Sequence, residues 1–215
     1  MTLSLFDYEF QTQISLFVLY NKINIQTDVI LFLAGGRGGK EVKKNINVAE
    51  NLGIPEFICV LDRSLSMYGR EKIIIQSFNR WLEKQQENSG EALVTVALCN
   101  EKCELLYSRM PMQYVRKMDS FSYFVKGHTA YLDAVDELLS LFCRLRQENG
   151  TDRSRVLFFL VTDGLDNSSI EVERSEFEKR MESLYAKGWE ILVGGKDIDS
   201  EFREASDMFL EMRKA

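Results

Sequence analysis

The sequence predicts an α/β fold, a mostly parallel β-sheet with helices on both faces, and three observations predict it. From Pro55 onward, short apolar runs alternate with stretches of helical periodicity, the rhythm of strands joined by crossover helices. Phe57–Leu61 and Val156–Val161 are continuously apolar, as expected of strands covered on both faces. The stretches between them place apolar residues three and four apart, the signature of helices with one buried face.

Each element follows in order. Phe57–Leu61 reads as the first strand. Arg70–Gln86 reads as a helix, with Ile74, Phe78, Trp81 and Leu82 at helical spacing. Ala92–Cys99 is the second strand, and Cys103–Tyr107 its more exposed hairpin partner across Asn100-Glu101-Lys102. After an irregular stretch around Pro111, Tyr131–Leu145 forms an amphipathic helix with Leu132, Val135, Leu138, Leu139 and Phe142 inward. Val156–Val161 is the most apolar strand. Ser175–Lys187 reads as a helix, with Ser175 and Glu178 as a capping box and Gly188 where a left-handed residue ends a helix. Glu190–Val193 is a further strand and Glu201–Met208 a further helix, and Met208–Met212 could supply an edge strand.

Residues 1–54 break this rhythm. Gln11–Tyr20 and Thr27–Leu33 pattern as a hairpin across Asn21–Gln26, and Gly35–Gly39 with Lys40–Lys44 as a connector. The reading is an N-terminal extension, 1–54, and an α/β domain, 55–215.

Composition narrows the function. With 215 residues, 45% hydrophobic and 28% charged, the chain can bury roughly 70% of its unfolded surface without staples. Its net charge of −6 falls wholly in 55–215, where 22 basic residues face 28 acidic ones. An acidic domain without a basic stripe lacks what binds phosphate backbones, so no nucleic-acid partner is expected. The apolar runs Ile14–Tyr20 and Val29–Ala34 are too short to span a bilayer, and Met1–Phe10, with Asp7 and Glu9, has no signal-peptide pattern. Cys59, Cys99, Cys103 and Cys143 read as reduced small hydrophobes. One C-x3-C and one histidine do not make a zinc site. A cytoplasmic protein is expected, with no membrane association.

Three polar clusters adjoin these elements: Asp62-Arg-Ser64-Leu-Ser66 after the first strand, Gly127-His-Thr129 before the third-quarter helix, and Thr162-Asp163-Gly164 after Val156–Val161. In a parallel sheet such loops converge at the carboxyl ends of the strands. Two carboxylates and three hydroxyls are hard oxygen donors of modest charge. They suit Mg²⁺, or alternatively Mn²⁺, which takes about six oxygens and keeps several waters.

Asp62-x-Ser64-x-Ser66 with Thr129 and Asp163 resembles the metal-ion-dependent adhesion site of von Willebrand factor type A domains. Gly127–Ala134 and Val161–Ser168 are similar to the corresponding segments of bacterial stand-alone members. The resemblance covers about 55–215. It implies a Rossmann-like, doubly wound sheet, with Asp62, Ser64, Ser66, Thr129 and Asp163 as metal ligands at its top. It also implies capture of a partner protein's aspartate or glutamate at the open metal position, in a bacterial assembly or stress-response system, often beside AAA-type ATPases. Arg63, Leu65, Tyr68 and His128 would choose the partner. Two departures stand out: Leu65 occupies a common glycine position, and the tail after Lys196 is short for the family's last strand and helix.

The competing readings have less support. A Mg²⁺-dependent phosphohydrolase with Asp62 as nucleophile needs a second aspartate two residues on, where Ser64 stands. A purely structural interaction domain would not need all five donors. No serine or cysteine has a histidine–carboxylate relay, so no enzyme is expected. Gly35–Lys40 resembles a phosphate loop but lacks its first glycine and its hydroxyl residue. His128 reads as a solvated loop residue, and Phe121–Phe124 as core and rim packing.

Overall fold

In the computed structural model every residue of Glu56–Asp62 is buried, and the strand they form, β1, lies at the centre of a five-stranded sheet. The structure describes residues 53–88, 90–127, 131–148, 154–164 and 174–214. By its contacts the chain divides into two units, the first being Ile54–Arg144 with Ser154–Ala215. The sheet belongs to the first. The hairpin and connector expected in 1–52 lie outside the described residues.

After β1 come helix α1 (Glu71–Gln86), β2 (Leu93–Cys99), β3 (Cys103–Pro111), α2 (Tyr131–Glu148), β4 (Val156–Val161), α3 (Arg174–Ala186), β5 (Trp189–Gly194) and α4 (Ile198–Lys214). The strand order is β3-β2-β1-β4-β5. β1 runs parallel to β2 and β4, and β4 parallel to β5, while β3 returns antiparallel to β2. The α/β class and the mostly parallel sheet are as the sequence predicts.

The alternation of β1 explains its unbroken apolar run. Phe57, Cys59 and Leu61 enter one core with Ile74, Phe78 and Trp81 of α1 and Phe202, Ala205 and Phe209 of α4. Ile58 and Val60 enter the other, with Val135, Leu138 and Phe142 of α2 and Phe177 and Leu184 of α3. Phe57 stacks on Trp81 with ring centroids 4.0 Å apart, and Phe159 meets Phe202 edge-on at 4.9 Å. Aromatic pairs in such geometries add about 0.5–1.5 kcal/mol each beyond the area they bury.

Beyond shifts of one to three residues at other ends, three elements differ from expectation. α3 starts at Arg174, so Ser175 lies inside its first turn rather than capping it. β3 runs on to Pro111, four residues past the expected end. Met208–Met212 is not an edge strand but the last part of α4. The buried residues Phe202, Ala205, Phe209 and Met212 recur three or four apart, so their apolar face is served only by a helix. The tail from Ile198 is thus a 17-residue helix, and among the described residues the sheet ends at β5.

Candidate metal centre

Leu61 and Val161 are register partners on the adjacent strands β1 and β4, so Asp62 and Thr162 leave the sheet side by side. This is where the strand order reverses about β1, the usual position of a ligand crevice. Asp62 is almost fully buried, at 1% exposure. Its Oδ1 accepts the Ser64 backbone N–H at 2.8 Å, and its Oδ2 accepts the Thr162 hydroxyl at 2.8 Å. Thr162 Oγ1 in turn accepts the Gly164 N–H at 3.1 Å. One turn of 3₁₀ helix over Leu65–Met67 carries Ser66 back beside Ser64, and their hydroxyls lie 2.9 Å apart.

A second segment is tied to this loop by three bonds. The Tyr123 hydroxyl donates to the Asp62 carbonyl at 2.6 Å, Lys126 N–H to the Arg63 carbonyl at 2.7 Å, and Leu65 N–H to the Gly127 carbonyl at 3.3 Å. Gly127 has φ +75, and a Cβ there would stand 2.5 Å from Asn100 Nδ2, so only glycine fits the turn. Asn100 Nδ2 donates to the Lys126 carbonyl at 3.0 Å. His128 and Thr129 lie outside the described residues.

The structure therefore brings Asp62, Ser64 and Ser66 into one loop and places Asp163 at the end of the neighbouring strand. Burial raises the Asp62 carboxyl above the ordinary aspartate range. Hydrogen bonds from Ser64 and Thr162 offset part of that rise, and the charge of Asp163 adds to it. A divalent cation would relieve both the burial and the carboxylate repulsion, so the donor set fits Mg²⁺. Among the described residues no group of three or more histidine, cysteine, aspartate or glutamate side chains gathers. The candidate donors among the described residues are oxygens of Asp62, Ser64, Ser66 and Asp163. Tyr123 is pushed well above the usual tyrosine range by burial and then by the Asp62 charge, so it remains a hydrogen-bond donor.

Several expectations are corrected. Arg63 is not positioned to choose a partner: it is buried at 2% exposure and paired with Glu104 at 2.6 Å. Leu65 and Tyr68, at 58% and 78%, do face solvent. Phe121–Phe124 divides into core and rim as expected, with Tyr123 buried and bonded to the Asp62 carbonyl and Phe121 outward. Cys99 and Cys103 are joined as a disulfide rather than reduced, with Cα atoms 4.1 Å apart. They are direct partners in the β2–β3 register, which brings both side chains to one face of the hairpin. Cys59 and Cys143 are free.

Thr162, named in the sequence only as a member of its cluster, and Tyr123 and Asn100 support the candidate site in ways that the sequence reading did not assign. Thr162 had a local signal, a hydroxyl directly after the most apolar strand. The other two act through contacts distant along the chain.

No protein-family model and no curated protein matches the chain. Among solved structures, it is similar to the ArnB paralog VWA2 from Sulfolobus acidocaldarius, at 17% identity and a TM-score of 0.45, over 73% of this chain and 39% of that one. It is also similar to a von Willebrand factor type A protein from Catenulispora acidiphila, at 12% identity and a TM-score of 0.42, over 72% of this chain and 42% of that one. A third is the manganese-loaded TRAP protein of Plasmodium vivax, at 18% identity and a TM-score of 0.45, over 73% and 63%. The chain thus spans well under half the length of the first two. At these scores the likenesses assign neither a family nor a function.

Proposed function

We propose that the protein is a non-enzymatic, metal-dependent module that binds a partner protein through a carboxylate. The observation that carries this reading is the convergence of the Asp62 carboxylate with the Ser64 and Ser66 hydroxyls, on the strand next to the one that Asp163 follows. Asp62, Ser64, Ser66 and Asp163, with Thr129, would hold Mg²⁺ or Mn²⁺. A bound cation supplies an open position for an aspartate or glutamate and reverses the local sign of an acidic surface.

The chain's own residues supply the rest. Ser64 N–H and the Thr162 hydroxyl orient the Asp62 carboxylate, so that its lone pairs are set before a cation arrives. Tyr123 anchors the same residue by its carbonyl. Leu65 and Tyr68 stand exposed on the same loop, where they would touch the partner. Ser64 occupies the place where a phosphohydrolase would carry its proton-donating aspartate, and a hydroxyl is no general acid at neutral pH. The proposal extends to a cytoplasmic, bacterial assembly or stress-response setting beside an AAA-type ATPase. No helix among the described residues is long and apolar enough to cross a membrane.

The test is a Mn²⁺ titration followed by thermal unfolding. At one hundred times the dissociation constant the fold should gain about 2.7 kcal/mol. Asp62→Asn, which keeps the side-chain shape and an acceptor for Thr162, should lose that gain. A melting shift of undiminished size in Asp62→Asn would remove Asp62 from the site.

A further inference from the structure

We propose that Cys99 and Cys103 form a redox-operated clasp that sets the metal affinity of the adjoining site, an inference that rests on the metal reading. The pair closes the β2–β3 hairpin across Asn100-Glu101-Lys102, with Asn100 N–H bonded to the Lys102 carbonyl at 3.1 Å. Its position in the sheet is what matters. Cys99 is also the register partner of Asp62 on β1, and its carbonyl accepts the Arg63 N–H at 2.8 Å. The residue after Cys99 is Asn100, which carries the Lys126 carbonyl. The residue after Cys103 is Glu104, which pairs with Arg63 and Lys126. Both loops that meet at the site therefore hang on the residues flanking one disulfide.

Reduction changes what this hairpin can hold. Two thiols cannot keep bonding distance, so reduction removes the covalent tie between the ends of β2 and β3 and leaves Asn100 and Glu104 held by hydrogen bonds and ion pairs alone. The chemistry is thiol–disulfide exchange with a small thiol of the glutathione class. Its thiolate attacks Cys103 Sγ, the S–S electron pair leaves on Cys99 Sγ, and that sulfur takes a proton. A second small thiol resolves the mixed disulfide. One protein disulfide and two small thiols thus become a protein dithiol and one small disulfide, and the oxidised small disulfide reverses the step. Cys99 and Cys103 are buried, so the small thiol reaches Cys103 Sγ when the exposed turn at Glu101 and Lys102 opens. Of the remaining thiols, Cys59 is pushed well above the usual cysteine range by burial, so it stays protonated and does not compete.

The test uses the full chain, oxidised with a small disulfide or reduced with a phosphine that is then removed. Non-reducing peptide mapping should find Cys99 joined to Cys103 in the oxidised sample. Reduction should speed amide exchange across residues 123–127 and weaken Mn²⁺ binding about fivefold, the lower end of typical coupling between sites. Cys103→Ser should match the reduced state and no longer respond, and if it fails to fold, the two redox forms of the unaltered chain still decide. Equal exchange in the two forms, or equal Mn²⁺ affinity, overturns the clasp. Exchange that responds while neither form binds Mn²⁺ supports the clasp and counts instead against the metal reading.

Discussion

Glu104 accepts from Arg63 at 2.6 Å and from Lys126 at 3.2 Å, and so joins the loop after β1 to the segment entering residue 128. Arg63 is buried, so removing its counter-charge leaves a cation with little water to replace it. Glu104→Gln should cost about 1–3 kcal/mol, less than a fully buried pair because Glu104 is a third exposed. The Arg63 bond and charge hold the Glu104 carboxyl below the ordinary glutamate range. The sign follows: its stabilisation is complete above the unfolded pKa and lost as the pH falls through the lowered folded one. Acid titration of stability should show this loss in the native chain and not in Glu104→Gln. At this scale the proximity of Asp62, Ser64 and Ser66 was legible in the sequence, because a strand-end motif is local. The sequence did not disclose that Arg63 is internal. Strand alternation places Arg63 against Glu104 only once β2 and β3 are in register, and that register is a non-local fact.

Two glycines separate backbone strain from collision. Gly188, with φ +87 after α3, has nothing within 4 Å of an added Cβ. Gly188→Ala should therefore cost only the left-handed conformation, about 1 kcal/mol. Gly195, with φ +138 after β5, would put a Cβ 1.8 Å from the Thr162 carbonyl oxygen. Gly195→Ala must move the β4–β5 ends as well, and should cost about 3 kcal/mol or more. Because Thr162 orients Asp62, it should also diminish the Mn²⁺ melting shift, which Gly188→Ala should leave unchanged. Denaturant unfolding and the same titration check both. Strands β1 and β4 were legible because continuous apolar runs bounded by polar residues have few other uses. β3 was read short because beyond Tyr107 it carries Ser108 and Arg109, the latter at φ +45 beside irregular pairing with β2. α4 was read short because Glu211 and Arg213 dilute a stripe that Phe209 and Met212 continue.

Over the whole molecule the net charge is −6, so on the proposed reading an acidic partner would be repelled at long range and attracted only where the cation would sit. Most charge-steered associations slow as salt rises. Here the association rate with an acidic partner should increase from about 10 to 150 mM ionic strength, as the Debye length falls from about 30 to 8 Å. EDTA should abolish binding at every salt concentration. Stopped-flow mixing with a captured partner checks the sign, and a rate that falls with salt would place the recognition elsewhere. The burial of Arg63 beside the outward Leu65 and Tyr68 has a practical consequence. Within one short loop, Asp62, Arg63, Ser64 and Met67 belong to the scaffold and Leu65 and Tyr68 to the surface. Diversifying positions 65 and 68 in a display library would vary the contact face while sparing Asp62, Ser64 and the Arg63–Glu104 pair. Selection against chosen acidic peptides could then yield binders released on demand by a chelator.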